Sequence, residues 1–436
     1  MIRLLLVCLL GLAALPARAA VEVEQITSPG GIDAWLVEDH SLPFVALELR
    51  FRGGAALDRP GRAGAVNLMT GLLEEGTGDL DAQGFAGARD ALAASYDFDA
   101  GNDSVSVSAR WLSETQDEAV SLLRRALVEP AFTEDSIDRV RDQVLSGLAR
   151  DATDPGAIAR RSFDAMAFPD HPYGTPVEGM VASVGGLTRD DIVQAHADTL
   201  VRDRAYIAAT GDITADELGR VLDTLLGDLP ATSPADLPGA AEWSLDPGIS
   251  VIDYAVPQSV ILFGHEGIAR DDPDFFAAYI LNEIVGGGGF NSRLMEEVRV
   301  KRGLTYGVGS YLLPLDHAAM LMGQASSAND SAAEAVEVIA DEWARAAEGV
   351  TEDELEAAKR YLTGAYPLRF DGNARIAGIL VGMQLDGLPA DYIETRNDEI
   401  EAVTLEDIRR VAERIFRPED LSFVVVGQPE GLSSTN

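Results

Sequence analysis

The chain repeats itself, and this limits its fold more than any other feature. Leu187-Thr188-Arg189-Asp190-Asp191-Ile192 leads through an amphipathic stretch to a β-rich run at 204–211. Val403-Thr404-Leu405-Glu406-Asp407-Ile408 leads the same way to a run at 421–427. Thr188 to Thr404 and Gly211 to Gly427 are both offset by 216. Phe132-Thr133-Glu134-Asp135 and Val350-Thr351-Glu352-Asp353 add a third pair, offset by 218. Each Thr is suited to cap a helix, and the acidic residues after it suit the first turn, where the helix dipole favours negative charge. Three landmarks at nearly constant offset predict two tandem homologous halves.

Local patterns fill in those halves. In 104–111, Val105, Val107, Ala109 and Trp111 alternate with Ser104, Ser106, Ser108 and Arg110, the signature of a half-buried strand. Residues 114–127 read as a helix, 249–263 as strand-like and 274–285 as a helix. Residues 308–324 read as a hairpin turning near Pro314-Leu315-Asp316. Strands interspersed with helices predict an α+β fold, each half a mostly antiparallel sheet with helices packed on one face. Pro230, Pro234, Pro238 and Pro247 give 227–247 the composition of a linker. The expected division is 20–226, a linker at 227–247, and 248–436.

The first nineteen residues read as a secretory signal. Arg3 is followed by an apolar run at 4–15, too short to span a bilayer, and by Ala17-Arg18-Ala19, a fitting cleavage site. The sole cysteine, Cys8, falls inside it, which leaves no disulfide or thiolate metal site downstream. A periplasmic location is expected. The net charge is −38, dispersed without long runs, and it disfavours nucleic acid and anionic lipid as partners.

The five histidines are His40, His171, His196, His265 and His317. No two are spaced to share one helix face, so no local zinc site is expected. His171 stands in a turn-like segment, Phe168-Pro169-Asp170-His171-Pro172-Tyr173-Gly174, where a loop hydrogen bond suffices to explain it. Two other segments draw attention: the apolar helix candidate at 64–77, ending Glu75-Gly76-Thr77, and the run Phe290-Asn291-Ser292-Arg293-Leu294-Met295-Glu296-Glu297-Val298-Arg299-Val300-Lys301-Arg302-Gly303-Leu304-Thr305-Tyr306.

With the loop at 171–174, these segments resemble the pitrilysin/insulinase-like zinc peptidases (family M16), in the bacterial paired-subunit branch. The resemblance spans nearly the whole chain beyond the signal. Active members carry an inverted HxxEH motif, two His ligands with Glu as base, and a distant Glu ligand. Here those positions hold Asn67, Thr70 and Gly71, and the distant Glu would fall near Ser146 or Gly147. Glu74 and Glu75 do not substitute, because the imidazoles are still missing. No metal is therefore expected in this chain, and zinc is expected in a partner subunit bearing HxxEH. Arg299 and Tyr306 match the Arg/Tyr pair with which the family contacts substrate, and a guanidinium and a phenol can donate to a developing oxyanion. Arg299 is expected at a helix end and Tyr306 at the start of the next strand, with Gly303 in the turn. The plainer reading is a surface Arg and a Tyr packed in a sheet. Gly286-Gly287-Gly288-Gly289 lacks the Lys and Ser/Thr of a phosphate loop. It reads either as a helix C-terminal turn or as a mobile loop at the substrate cavity, with Gly287, Gly288 and Gly289 the candidates. The implied function is a non-catalytic, substrate-contacting subunit of a heterodimeric zinc peptidase acting on peptides. The alternative is a non-enzymatic scaffold or peptide-binding protein of the same fold.

Overall fold

The computed structural model describes residues 22–435, so the candidate signal at 1–19 lies outside the described residues. Eleven strands form two sheets. The first sheet takes β1 (Glu24–Thr27), β2 (Asp33–Glu38), β3 (Phe44–Arg52), β4 (Ser95–Ala100), β5 (Ser104–Leu112) and β6 (Ala205–Gly211) in the order β1-β2-β6-β3-β5-β4. The second takes β7 (Gly248–Asp253), β8 (Gln258–Glu266), β9 (Thr305–Pro314), β10 (Ala319–Ala328) and β11 (Ser422–Gly427) in the order β9-β10-β8-β11-β7.

Apart from the extra edge strand β1, the two orders are the same. Strand β2 matches β7, β6 matches β11, β3 matches β8, β5 matches β10 and β4 matches β9. The pairing sense agrees as well: β2–β6 and β7–β11 are parallel, and the other pairs in both sheets are antiparallel. The repeat in the sequence is a repeat of topology.

Local caps set the helices that cover each sheet. Thr188 and Asp191 form a reciprocal capping box at Arg189–Thr199, and Thr404 and Asp407 form one at Leu405–Ile415. Thr133 caps Glu134–Asp151, and Thr351 with Glu354 caps Glu352–Ala365. These helices build one apolar core on each sheet, the first around Leu47, Leu49 and Leu123, the second around Phe263, Trp343 and Ile408.

The opposite faces are covered by exchange. Helix Pro155–Ala167, from the first half, lies on β8 and β11 of the second sheet. Helix Asn373–Leu385, from the second half, lies on β3 and β6 of the first. Strand periodicity shows this directly. Phe423 and Val425 enter the second half's own core, whereas Val424 and Val426 meet Ile158, Ala159 and Phe163. In β6, Ile207 and Ala209 face the first core, and Ala208 faces Leu380 and Val381. Both faces of each sheet thus carry helices, where the sequence predicts one.

Residues 227–247 hold no helix or strand, yet they are packed down. The Trp243 ring meets Phe163 and Phe168 edge-on at centroid distances of 5.8 and 5.6 Å, and Leu245 is buried. The strand-like run at 249–263 divides into β7 and β8 around 254–257. Both strands flank β11, one parallel and one antiparallel, so the chain must reverse between them. Among the described residues, no helix is long and apolar enough to cross a membrane.

Candidate functional site

The helix that carries Asn67, Thr70 and Gly71 is short, Ala65–Gly71. Asp58 holds its N-terminus, accepting hydrogen bonds from Gly64 N at 2.6 Å and Val66 N at 2.9 Å. Helix Glu134–Asp151, with Ser146 and Gly147, packs beside it. Thr70 is 2% exposed, and its hydroxyl donates to Asn67 O at 2.8 Å. A Cβ placed on Gly71 would stand 3.1 Å from Val140 Cγ1, so any side chain there would need Val140 to give by a few tenths of an ångström. Ser146 donates back to Asp142 O within its own helix. Glu74 is bound by Arg89 at 2.8 Å and Glu75 by Arg139.

An amide, a hydroxyl and a glycine offer no imidazole or carboxylate, so these residues do not fit zinc. Among the described residues, no group of three His, Cys, Asp or Glu side chains is placed to hold a metal. The triple variant Asn67→His/Thr70→Glu/Gly71→His is expected to remain zinc-poor and to melt below the parent. It must bury a carboxylate at Thr70 and push Val140 aside, and it still lacks a third ligand. Elemental analysis and a thermal melt check this; one zinc per chain would contradict it.

The histidines sit apart from this helix. His265 is fully buried, accepting from Trp343 Nε1 at 2.9 Å through Nε2 while Nδ1 lies 2.7 Å from Glu266 O. Burial pushes its pKa down to about 4, so it is a neutral core residue. His196 is half-buried, with Nε2 2.7 Å from Leu127 O. His171 accepts from Tyr173 N at 3.2 Å, and its ring lies 5.8 Å from that of His317 at the junction of the halves. His40 is exposed and pairs with Asp212 at 2.7 Å.

Two half-buried carboxyls give stability a distinctive pH dependence. Burial raises Asp58 and Asp164 to about 6. The folded chain therefore binds their protons more tightly than the unfolded chain does, and stability rises as pH falls from about 6 toward about 4. Glu354 acts oppositely. Its bidentate pair with Arg293, at 2.7 and 2.8 Å, holds it down to about 2, so its contribution is lost as pH falls from about 4 to about 2. The melting temperature is expected to peak near pH 4. A monotonic fall on acidification from pH 7.5 would contradict this, and Asp164→Asn should flatten the rise.

The second candidate region is built differently. Helix Phe275–Asn282 widens into a π-helical turn at Glu283–Gly287, followed by a glycine-containing turn and a second π-helical segment at Met295–Val300. Widened turns of this kind frequently accompany functional sites. Gly286 is required by packing: a Cβ there would lie 2.5 Å from Ser310 N on β9. Gly287 and Gly288 lie against Glu283, and Gly289 faces open space with φ +55°.

Arg299 lies at the end of the second π-helical segment, and Tyr306 is the second residue of β9. Between them, Gly303 takes φ +67° and its N–H donates to Arg299 O at 2.8 Å, closing the turn. Strand β9 is a sheet edge, and its register against β10 shifts between Thr305 and Val308. Tyr306 thus sits in a bulge, a device that re-aims side chains, and it is 87% exposed. Thr305 Oγ1 braces the bulge, accepting from Gly307 N at 3.1 Å. The Arg299 guanidinium lies 4.6 Å from the ring centroid of Phe290, which is 68% exposed. The sequence reading passed over Phe290 as a site residue; an aromatic directly after the glycine run was the available signal. Arg299, Phe290 and Tyr306 therefore project from one loop–helix–strand unit, Arg299 half-buried and the two aromatics exposed. A half-buried Arg and an exposed Tyr in an edge bulge differ from a Tyr packed in a sheet.

The comparisons with known proteins agree with this architecture. Residues 186–362 match the family described as "Peptidase M16 inactive domain". The chain is 28% identical over 393 residues to the "Non-peptidase homolog YmxG" of Helicobacter pylori, covering 89% of this chain and 90% of that protein. It is 23% identical over 397 residues to an "Uncharacterized zinc protease" of Rickettsia bellii, covering 88% and 94%. The crystal structure of a peptidase M16 inactive domain from Pseudomonas fluorescens superposes with a TM-score of 0.86 at 28% identity, covering 94% of this chain and 98% of that one. A repeated sandwich without zinc ligands at 67, 70 and 71 is thus similar along nearly its whole length to M16 peptidase homologues, with residues 186–362 matching the inactive-domain family.

Proposed function

We propose that the chain is the zinc-free, substrate-contacting subunit of a heterodimeric zinc metallopeptidase that acts on peptides. One contrast carries the reading: the helix at Ala65–Gly71 carries Asn67, Thr70 and Gly71 and so offers no imidazole or carboxylate, while Arg299, Phe290 and Tyr306 project from the other half. A structural relic would give an exposed Tyr in an edge bulge no reason to be braced.

The partner is a chain with a complete HxxEH motif, and both are periplasmic. In the pair, the partner's zinc supplies an activated water and its Glu the general base. Arg299 and Tyr306 donate to the peptide carbonyl as negative charge develops on its oxygen, and Phe290 fixes the guanidinium plane. Wall residues from both chains hold the peptide between them.

Co-purification tests the assembly. The two chains should sediment as a one-to-one complex containing one zinc, removed by chelator without loss of this chain's fold. Failure to form a complex with any HxxEH-bearing chain from the same source would favour the scaffold reading.

A further inference from the structure

The chain carries a net charge of −38, yet one concavity is lined by guanidinium groups. Two adjoining cavities of about 390 and 500 Å³ share Arg270, Arg369, Tyr392 and Arg396 in their walls. Gly287 and Ser310 belong to the first and Arg375 to the second.

The arginines are not equivalent. Arg270 is committed: it donates to Tyr392 Oη at 3.0 Å, pairs with Asp386 at 3.5 Å and lies 4.3 Å over the Phe275 ring. Arg396 is 5% exposed and has no carboxylate partner among the described residues. It donates to Leu362 O at 3.3 Å and Asn397 Oδ1 at 3.1 Å, and it packs 4.3 Å from the Tyr366 ring centroid. A buried guanidinium without a counter-charge is costly, and ring faces and neutral oxygens offset only part of that cost. Arg369 and Arg375 are exposed at the rim, and neither forms an ion pair among the described residues. Of the wall carboxylates, Asp386 is engaged by Arg270, which leaves Glu283 against three unpaired arginines.

We propose that this cavity is a carboxylate-binding subsite for the peptide, with Phe275, Tyr279 and Tyr392 receiving the neighbouring side chain. The inference rests on the substrate-contacting reading above. Arginine suits the task because its fork matches a carboxylate with two parallel hydrogen bonds. The position suits it too. Ser310, Tyr311 and Leu312 in the wall belong to β9, the strand that begins beside Tyr306. Four residues of strand place the cavity edge roughly 13 Å from Tyr306. An extended peptide held at Arg299 and Tyr306 reaches it in about four residues.

Fluorescence anisotropy with the full chain tests this, using short unstructured peptides of Ala, Ser, Leu and Arg labelled at the N-terminus. One version has a free C-terminal carboxylate, one is amidated, and one is amidated with Glu next to last. The free acid should bind at least about tenfold more tightly than the plain amide. In the Arg369→Gln/Arg375→Gln variant that ratio should fall below about threefold. If the Glu-bearing amide binds like the free acid, the subsite reads a carboxylate on a side chain as well; if it binds like the plain amide, the subsite reads the chain end. Equal binding of free acid and plain amide, with Arg299→Ala weakening both, overturns the subsite and leaves the functional reading standing. An unchanged preference in the double variant also overturns it. If no peptide binds, the substrate-contacting reading fails and the subsite with it.

Discussion

Arg299→Ala in this chain should lower kcat of the assembled pair by about 10- to 1,000-fold, although the mutated chain holds no metal. The loss should fall on kcat more than on KM, because a donor aimed at the oxyanion strengthens only as charge develops. Arg299→Lys should recover part of it, since the charge returns without the fork. Tyr306→Phe removes one hydroxyl and should fall in the same range. Tyr306 is 87% exposed, so its loss should leave the melting temperature unchanged, which separates a chemical role from a structural one. Steady-state cleavage of a fluorogenic peptide by the pair checks both variants. Full activity in both would remove Arg299 and Tyr306 from the site.

Phe163→Ala should cost about 3–5 kcal/mol of stability, a large share of the 5–15 kcal/mol typical of a folded protein. Phe163 is fully buried, but the sheet it covers belongs to the other half. Its helix, Pro155–Ala167, and the reciprocal Asn373–Leu385 exchange places across the junction. Neither half completes its own packing, so the halves should unfold together. Trp35 and Trp111 lie in the first sheet, and Trp343 lies in the second half's core. Denaturant curves followed through these tryptophans and through far-ultraviolet circular dichroism should share one midpoint. Phe163→Ala should move that midpoint for every probe. Two separated transitions in the parent chain would contradict the interlock.

Much of this fold is legible because its strongest signals are local. Thr188 with Asp191 and Thr404 with Asp407 form the same capping box, and a cap needs only four consecutive residues. The Ser/Val alternation of β5 is equally local. Strand order is not, because it depends on which distant segment each edge meets. The helix exchange was hidden for a related reason. An apolar stripe such as Ile158, Ala159 and Phe163 looks the same whichever sheet it covers. Proline spacing marked 227–247 as irregular but gave no sign that Trp243 and Leu245 anchor it.

The candidate site divides the same way. The placement of Arg299, Gly303 and Tyr306 at helix end, turn and strand start follows from a short contiguous pattern. The bulge that exposes Tyr306 depends on register with β10 and leaves no mark in the sequence. The arginine cavity joins Arg270, Arg369, Arg375 and Arg396, four positions spread over more than a hundred residues. Only the folded chain brings them together. The tight contact between Gly71 and Val140 also needed the structure, since it is tertiary.

Cleavage measured with each chain alone and with both together tests the central claim most directly. This chain should cleave no peptide and carry no stoichiometric zinc, and its HxxEH-bearing partner should be nearly inactive alone. The mixture should cleave, with activity rising to a plateau at one-to-one and abolished by chelator. Chelator-sensitive cleavage by this chain alone, or full activity of the partner without it, would contradict the account.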